Sequence, residues 1–156
     1  MRKSLFCLVL LSRLVFCDPV LDEMVGLADV VFSGNGTVEM VEWENFTMQL
    51  TPDMEPIDLA RLFQPESNMN EEQRQGAKLL FLKSQALANL ERGGKTMTQF
   101  LASKGFTVSI YDHQFNPALM YSKSGEPSRR FDFVRREGQL KLARVSLQPA
   151  GSGLAP

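Results

Sequence analysis

Residues 128–147 read Ser-Arg-Arg-Phe-Asp-Phe-Val-Arg-Arg-Glu-Gly-Gln-Leu-Lys-Leu-Ala-Arg-Val-Ser-Leu, and their period decides the fold. In the first arm Phe131 and Phe133 point one way, with Arg129 and Arg135 at the ends of that face. Arg130, Asp132 and Arg136 point the other way, as a period of two requires of a strand. Glu137-Gly138 is the turn. In the second arm the apolar set runs Leu140, Leu142 and then Val145, Leu147. That slip of one residue is what a β-bulge produces.

Working outward, Ala118 to Lys123 is a further strand, joined to the hairpin by the turn residues Ser124-Gly-Glu-Pro-Ser128. Phe106 to Tyr111 is another, with Phe106, Val108 and Ile110 alternating with polar neighbours. Before these strands come helices. Asn70 is an N-cap with Gln73 completing a capping box, and Glu71 and Glu72 lie in the favourable first turn. From there to Arg92, Leu79, Leu80, Leu87 and Leu90 recur at helical spacing; Phe81, Leu82 and Ala86 widen the face expected to be buried. Gly93-Gly94 ends this helix. A second runs from Thr96 to Lys104, presents Met97, Phe100 and Leu101 on one side, and is capped by Gly105.

The first half reads as strands. Asp29 to Ser33 and Thr37 to Trp43 flank Gly34-Asn35-Gly36, a hairpin turn because Asn-Gly tolerates positive φ. Phe46, Met48 and Leu50 alternate along a third strand, and a short helix begins at Pro56 between Pro52 and Pro65. Strands, then helices, then strands, with short connections, give an α+β fold: a curved antiparallel sheet packed on one long and one or two short helices.

Residues 1–17 read as a signal peptide. Arg2 and Lys3 precede the apolar run Leu5 to Leu11, and no acid occurs before Asp18. Cleavage is expected after Cys17, although Arg13 interrupts the run and Val15-Phe16-Cys17 departs from Ala-x-Ala. The alternatives are a lipid anchor at Cys17, opposed by the bulk of Phe16, a mitochondrial presequence, or a retained N-terminal element. Residues 18–148 then form a single α+β domain, and 149–156 a disordered tail rich in Gly, Ser, Pro and Ala. The expected location is secreted or periplasmic, with mitochondrial as the alternative.

Both cysteines, Cys7 and Cys17, lie in the leader, so the mature chain would have no disulfide, thiolate nucleophile or Cys-ligated zinc. The 156 residues are 44% hydrophobic and 22% charged, which excludes a disordered or collagen-like chain. No apolar run is long enough for a spanning helix, so no transmembrane span is expected.

Net charge is −1, but it is unevenly placed. Residues 18–75 hold 13 acids against Arg61 and Arg74, whereas residues 120–156 hold seven bases against three acids. The basic residues Arg129, Arg130, Arg135 and Arg136, with Lys141 and Arg144 on the next strand, are the candidate binding set. Guanidinium forks hold carboxylates or phosphates bidentately. The competing structural reading is that acids of the first half pair with these bases across the sheet.

Other chemistry is thinly represented. The one histidine, His113, stands beside Asp112, but strand neighbours point to opposite faces. Gly93-Gly-Lys-Thr96 resembles the end of a phosphate loop, yet Asn89 occupies the first glycine's place. Glu39, Glu42 and Glu44 lack a partner at a defined separation for glycoside chemistry. Asn35-Gly-Thr and Asn45-Phe-Thr are acceptor patterns for glycosylation. Trp43 beside Phe46 reads as core.

The expected function is therefore a small exported non-enzymatic protein that binds a protein partner or anionic ligand through an arginine-rich sheet face. It would use no cofactor, metal or nucleic acid. The alternatives are a cofactor-free hydrolase or isomerase with a pocket between helix and sheet, and a secretion or assembly accessory protein that takes an extended segment on a sheet edge.

Overall fold

A computed structural model describes residues 18–49, 55, 57–63, 68–111 and 116–150. The leader, Leu50, Pro52, Pro56, Pro65, Asp112, His113 and residues 151–156 of the tail lie outside the described residues.

The expected strand at 29–33 is the last turn of a helix, α1 (Pro19–Val31). Its start obeys local chemistry: the Asp18 carboxylate accepts from the Val20 N–H at 3.0 Å, and Pro19 occupies the first turn. Met24, Ala28 and Val31, spaced four and three apart, are fully buried on one side. The β-branched pair Val30-Val31 favours a strand by local propensity, but tertiary burial of this stripe wins. Gly34 and Gly36 consequently serve no hairpin. Gly34 has φ +87°, and an added Cβ there would lie 2.5 Å from the Ala86 Cβ. It lets the exit of α1 pass against the long helix.

The chain then makes a single 3₁₀ turn (Val38–Met40) where a second strand was expected. Val41 forms an isolated parallel bridge to Leu142. Strand β1 (Thr47–Met48) and β2 (Ile57–Asp58) are two residues each, and helix α2 (Ala60–Phe63) starts later than the proline signal implies.

Helix α3 (Glu71–Glu91) carries the expected capping box: Asn70 Oδ1 accepts from the Gln73 N–H at 2.8 Å, and Gln73 Oε1 accepts from the Asn70 N–H at 2.9 Å. Helix α4 (Met97–Ser103) repeats the device with Thr96 and Gln99, and Gly105 closes it at φ +86°. Strands β3 (Thr107–Tyr111), β4 (Ala118–Ser122), β5 (Ser128–Arg136) and β6 (Gln139–Gln148) follow close to their expected positions.

The six strands form one open sheet in the order β2-β1-β6-β5-β4-β3. Every pairing is antiparallel except β1–β6, which is parallel, because helices and other strands intervene in sequence. The α+β class therefore holds, with a mostly antiparallel sheet. The bulge is where the slipped pattern puts it: Asp132 faces Arg144 and Phe133 faces Leu142, leaving Ala143 as the extra residue.

The helix buried against the sheet is α1, not the long one. Its side chains join Phe131, Phe133, Leu119, Tyr121 and Leu142 in the core. Helix α3 buries only Leu82 fully, while Leu79, Leu80, Leu87 and Leu90 are 44%, 70%, 66% and 72% exposed. Leucine periodicity reveals that a helix has an apolar face; it does not say what the face meets. On its inner side Phe81 joins an edge-to-face aromatic cluster with Trp43 and Phe46, and Trp43 also meets Phe63. Trp43 is core, as expected, and its indole N–H donates to the Val38 carbonyl at 2.7 Å.

Candidate functional site

Strand parity sorts the six basic residues. Phe131 and Phe133 turn toward α1, so Arg130, Asp132, Val134 and Arg136 occupy the opposite, outer face of the sheet. Across β6 the register adds Lys141 opposite Val134, Arg144 opposite Asp132 and Ser146 opposite Arg130. On β3 and β4, Tyr111 and Ala118 continue the row. Four of the six bases thus share the outer face. Arg129 and Arg135 belong to the core-side face, at its ends.

Their surroundings differ. Arg130 is held in place: its Nε donates to Asp132 Oδ1 at 2.8 Å, its Nη2 lies 2.7 Å from the same oxygen, and its guanidinium carbon stands 4.6 Å from the Tyr111 ring centre. Tyr111, absent from the candidate set, is thus part of this surface. A β-strand aromatic two strands away carries no sequence mark of that role until the register is known. Arg144, directly across from Asp132, is exposed, and its side chain has no ion pair or hydrogen bond among the described residues.

At the hairpin end Arg136 Nε lies 3.3 Å from Glu42 Oε1, and the Glu42 side chain is nearly buried. Around this pair is an open groove of about 430 Å³ lined by Glu39, Glu44, Lys78, Lys141 and Trp43 as well. The three glutamates do converge there. Hydrogen bonds from its own backbone N–H and from the Thr37 hydroxyl hold the Glu39 carboxyl below the usual range, with Lys141 adding a smaller pull. Glycosidic acid catalysis needs a carboxyl displaced upward, so Glu39 moves the wrong way for that role.

The remaining bases serve the scaffold. Arg135 forks onto Glu23 of α1, with Nη2–Oε2 at 2.6 Å and Nη1–Oε1 at 3.3 Å. Arg129 stacks over Phe106 at 5.0 Å. Pairing between acids of the first half and bases of the last strands therefore accounts for Arg135 and Arg136. Lys141 faces the same glutamates, with Glu39 within its electrostatic reach, so only Arg144 is left unaccounted for.

Both acceptor asparagines, Asn35 and Asn45, are exposed, and Asn35 Nδ2 donates to Ser33 Oγ at 3.1 Å. Among the described residues no three His, Cys, Asp or Glu side chains are grouped to hold a metal ion. Among the same residues no helix is long and apolar enough to cross a membrane. Compared with protein-family models, with curated proteins and with solved structures, the chain finds no match.

Proposed function

We propose that this chain is a small exported, non-enzymatic binding protein whose outer sheet face takes an acidic segment of a protein partner. The observation that carries the reading is Arg144: an exposed guanidinium with no partner among the described residues, beside the Arg130–Asp132–Tyr111 assembly. Arg130 is already engaged and acts as a rigid shelf. Arg144 supplies the uncommitted charge, and Lys141, which also faces Glu39, lies three residues away on β6. An incoming carboxylate would replace water at Arg144 without breaking an existing pair, which keeps the cost of binding low. The export part rests on the basic start and apolar run of residues 1–11. The exposed Asn35 and Asn45 are compatible with glycosylation in a eukaryotic secretory route.

The test uses a fluorescein-labelled oligoglutamate peptide and the full chain, with anisotropy as readout. Binding should weaken with rising salt, because the contacts are solvent-exposed charges. Arg144→Glu combined with Lys141→Glu should abolish it with unchanged melting temperature, while Arg129→Glu, on the other face, should leave it largely intact. Equal binding by wild type and the double variant, or none by either, would refute the assignment.

A further inference from the structure

On the arginine face one pair of opposite charges stands in register and does not meet. Asp132 of β5 lies directly opposite Arg144 of β6. In a regular antiparallel ladder such side chains have Cβ atoms about 4.5–5.5 Å apart, and a carboxylate facing a guanidinium is a stabilising pair. Here the Arg144 side chain has no ion pair or hydrogen bond among the described residues. Asp132 turns along its own strand instead, where its Oδ1 meets both Nε and Nη2 of Arg130. That contact does not by itself shut Arg144 out. A carboxylate offers two oxygens and about four lone-pair sites, so a second guanidinium can share it.

What departs from a regular ladder is β6 itself. Ala143, between Leu142 and Arg144, is the extra residue that makes two positions of β6 oppose one of β5. A bulge bends its strand, adds local twist and re-aims the side chain beside it. The core does not need this one. Leu140 and Leu142 precede it, and Val145 and Leu147 follow it; without Ala143 these four would alternate unbroken and still share one face. On its other side Arg144 is paired with Thr47 of β1, a neutral neighbour that offers no carboxylate.

We infer that Ala143 is a positioning residue: its bulge holds Arg144 off Asp132 and so keeps that guanidinium free for an incoming carboxylate. The ligand part rests on the reading of this face as a binder of acidic segments; the geometric part stands without it. In a regular ladder Asp132 would neutralise Arg144, and an arriving carboxylate would have to displace it before gaining a contact. The bulge removes that competitor. Arg130 closes on Asp132 within β5, and Arg144 is left as the outward charge. The rival use of the bulge is to fit β6 to its other neighbours, since Leu142 is bridged by Val41 and Arg144 is paired with Thr47. A bulge serving only that fit would leave the Asp132–Arg144 relation indifferent to its removal.

The experiment deletes Ala143 from the full chain and reads both urea stability and binding of the fluorescein-labelled oligoglutamate peptide. In wild type, Arg144→Gln should change the unfolding constant by the same factor, within about twofold, whether residue 132 is Asp or Asn. With Ala143 deleted, the two substitutions should become coupled by about three- to fivefold, the size of a cross-strand charge pair. Peptide affinity should fall roughly fivefold on deletion. Asp132→Asn should then recover it, raising affinity at least about threefold more in the shortened strand than in wild type. A merely structural bulge would not give that recovery. Coupling of about fivefold between Asp132 and Arg144 in wild type would overturn the inference, even if the shortened strand fails to fold. So would equal coupling with and without Ala143. Coupling that emerges in Arg130→Leu with the bulge intact would give the separating role to Arg130 and overturn it too. A peptide indifferent to Arg144→Gln throughout would end the binding reading and the ligand part with it, while the stability cycles would still decide the geometry.

Discussion

Gly34 shows how a single residue carries a fold-level requirement. Its φ of +87° is one that L side chains rarely adopt, and a Cβ would meet not only the Ala86 Cβ but also the Ala86 backbone nitrogen at 2.7 Å. Backbone cannot swing aside as a flexible side chain would. Gly34→Ala should therefore cost about 2 kcal/mol or more, read as a lower denaturation midpoint in urea with the slope unchanged. A variant as stable as wild type would mean that α3 does not lie against the exit of α1. Tyr121 makes a different residue-scale statement. Burial pushes its hydroxyl up to about 12, with nearby Asp29 adding to the rise and a hydrogen bond with Thr98 opposing it. In the unfolded chain the same group ionises near 10. Below pH 10 both states hold the proton and Tyr121 contributes no pH dependence. Between about pH 10 and 12 the unfolded state releases it first, so stability falls by something on the order of 2 kcal/mol. Tyr121→Phe should flatten that part of the alkaline stability profile; an unchanged decline would place the titrating group elsewhere.

Among the elements, legibility followed locality. The capping boxes of α3 and α4 are satisfied within one turn, so the identities of Asn70, Gln73, Thr96 and Gln99 suffice to place the helix starts. The bulge at Ala143 was readable because Leu140, Leu142, Val145 and Leu147 record in their spacing which side is buried. Helix α1 was hidden for a physical reason. Its Val30-Val31-Phe32 run has strand propensity, and Asn35-Gly36 has hairpin chemistry, so two local preferences agreed on an answer that tertiary packing reversed. The Asp18-Pro19 start was the available sign, since an Asp N-cap ahead of Pro is a helix beginning. In the candidate site, face parity along β5 was legible, whereas Tyr111 and the unpaired state of Arg144 depend on register between strands. The β5–β6 turn gives an element-scale prediction. Glu137 and Gly138 both have positive φ, at 52° and 80°, in a two-residue loop between the paired Arg136 and Gln139. That is a type I′ geometry, for which Asn is suited and Glu is not. Glu137→Asn should stabilise by about 0.5–1 kcal/mol, seen as a higher melting temperature. No gain would mean that Glu137 contributes a contact beyond the turn.

At the scale of the whole molecule, the uneven charge of the sequence does not become two opposed poles. Glu23 and Glu42 of the acidic first half reach Arg135 and Arg136 of the basic hairpin, which stitches the two regions together at one end of the sheet. The apolar interior is equally uneven. Helix α1, β4, β5 and β6 supply most of the fully buried side chains, whereas α3 is attached through Leu82, the Trp43–Phe46–Phe81 aromatic contacts, and a hydrogen bond from Arg92 to the Phe32 carbonyl. Burial of this kind sets local opening free energy, because a segment with few buried groups can detach without exposing the core. Native-state hydrogen exchange should therefore resolve two classes in dilute protein. Amides of β5, β6 and the middle of α1 should exchange only by global unfolding, while those in the middle of α3 should exchange through a smaller opening. Leu82→Ala removes the one fully buried side chain of α3. It should lower protection along α3 by roughly 2–4 kcal/mol or down to the unprotected limit, while β5 and β6 fall by less. Uniform protection across α1, α3 and the sheet at low concentration would contradict this division of the molecule.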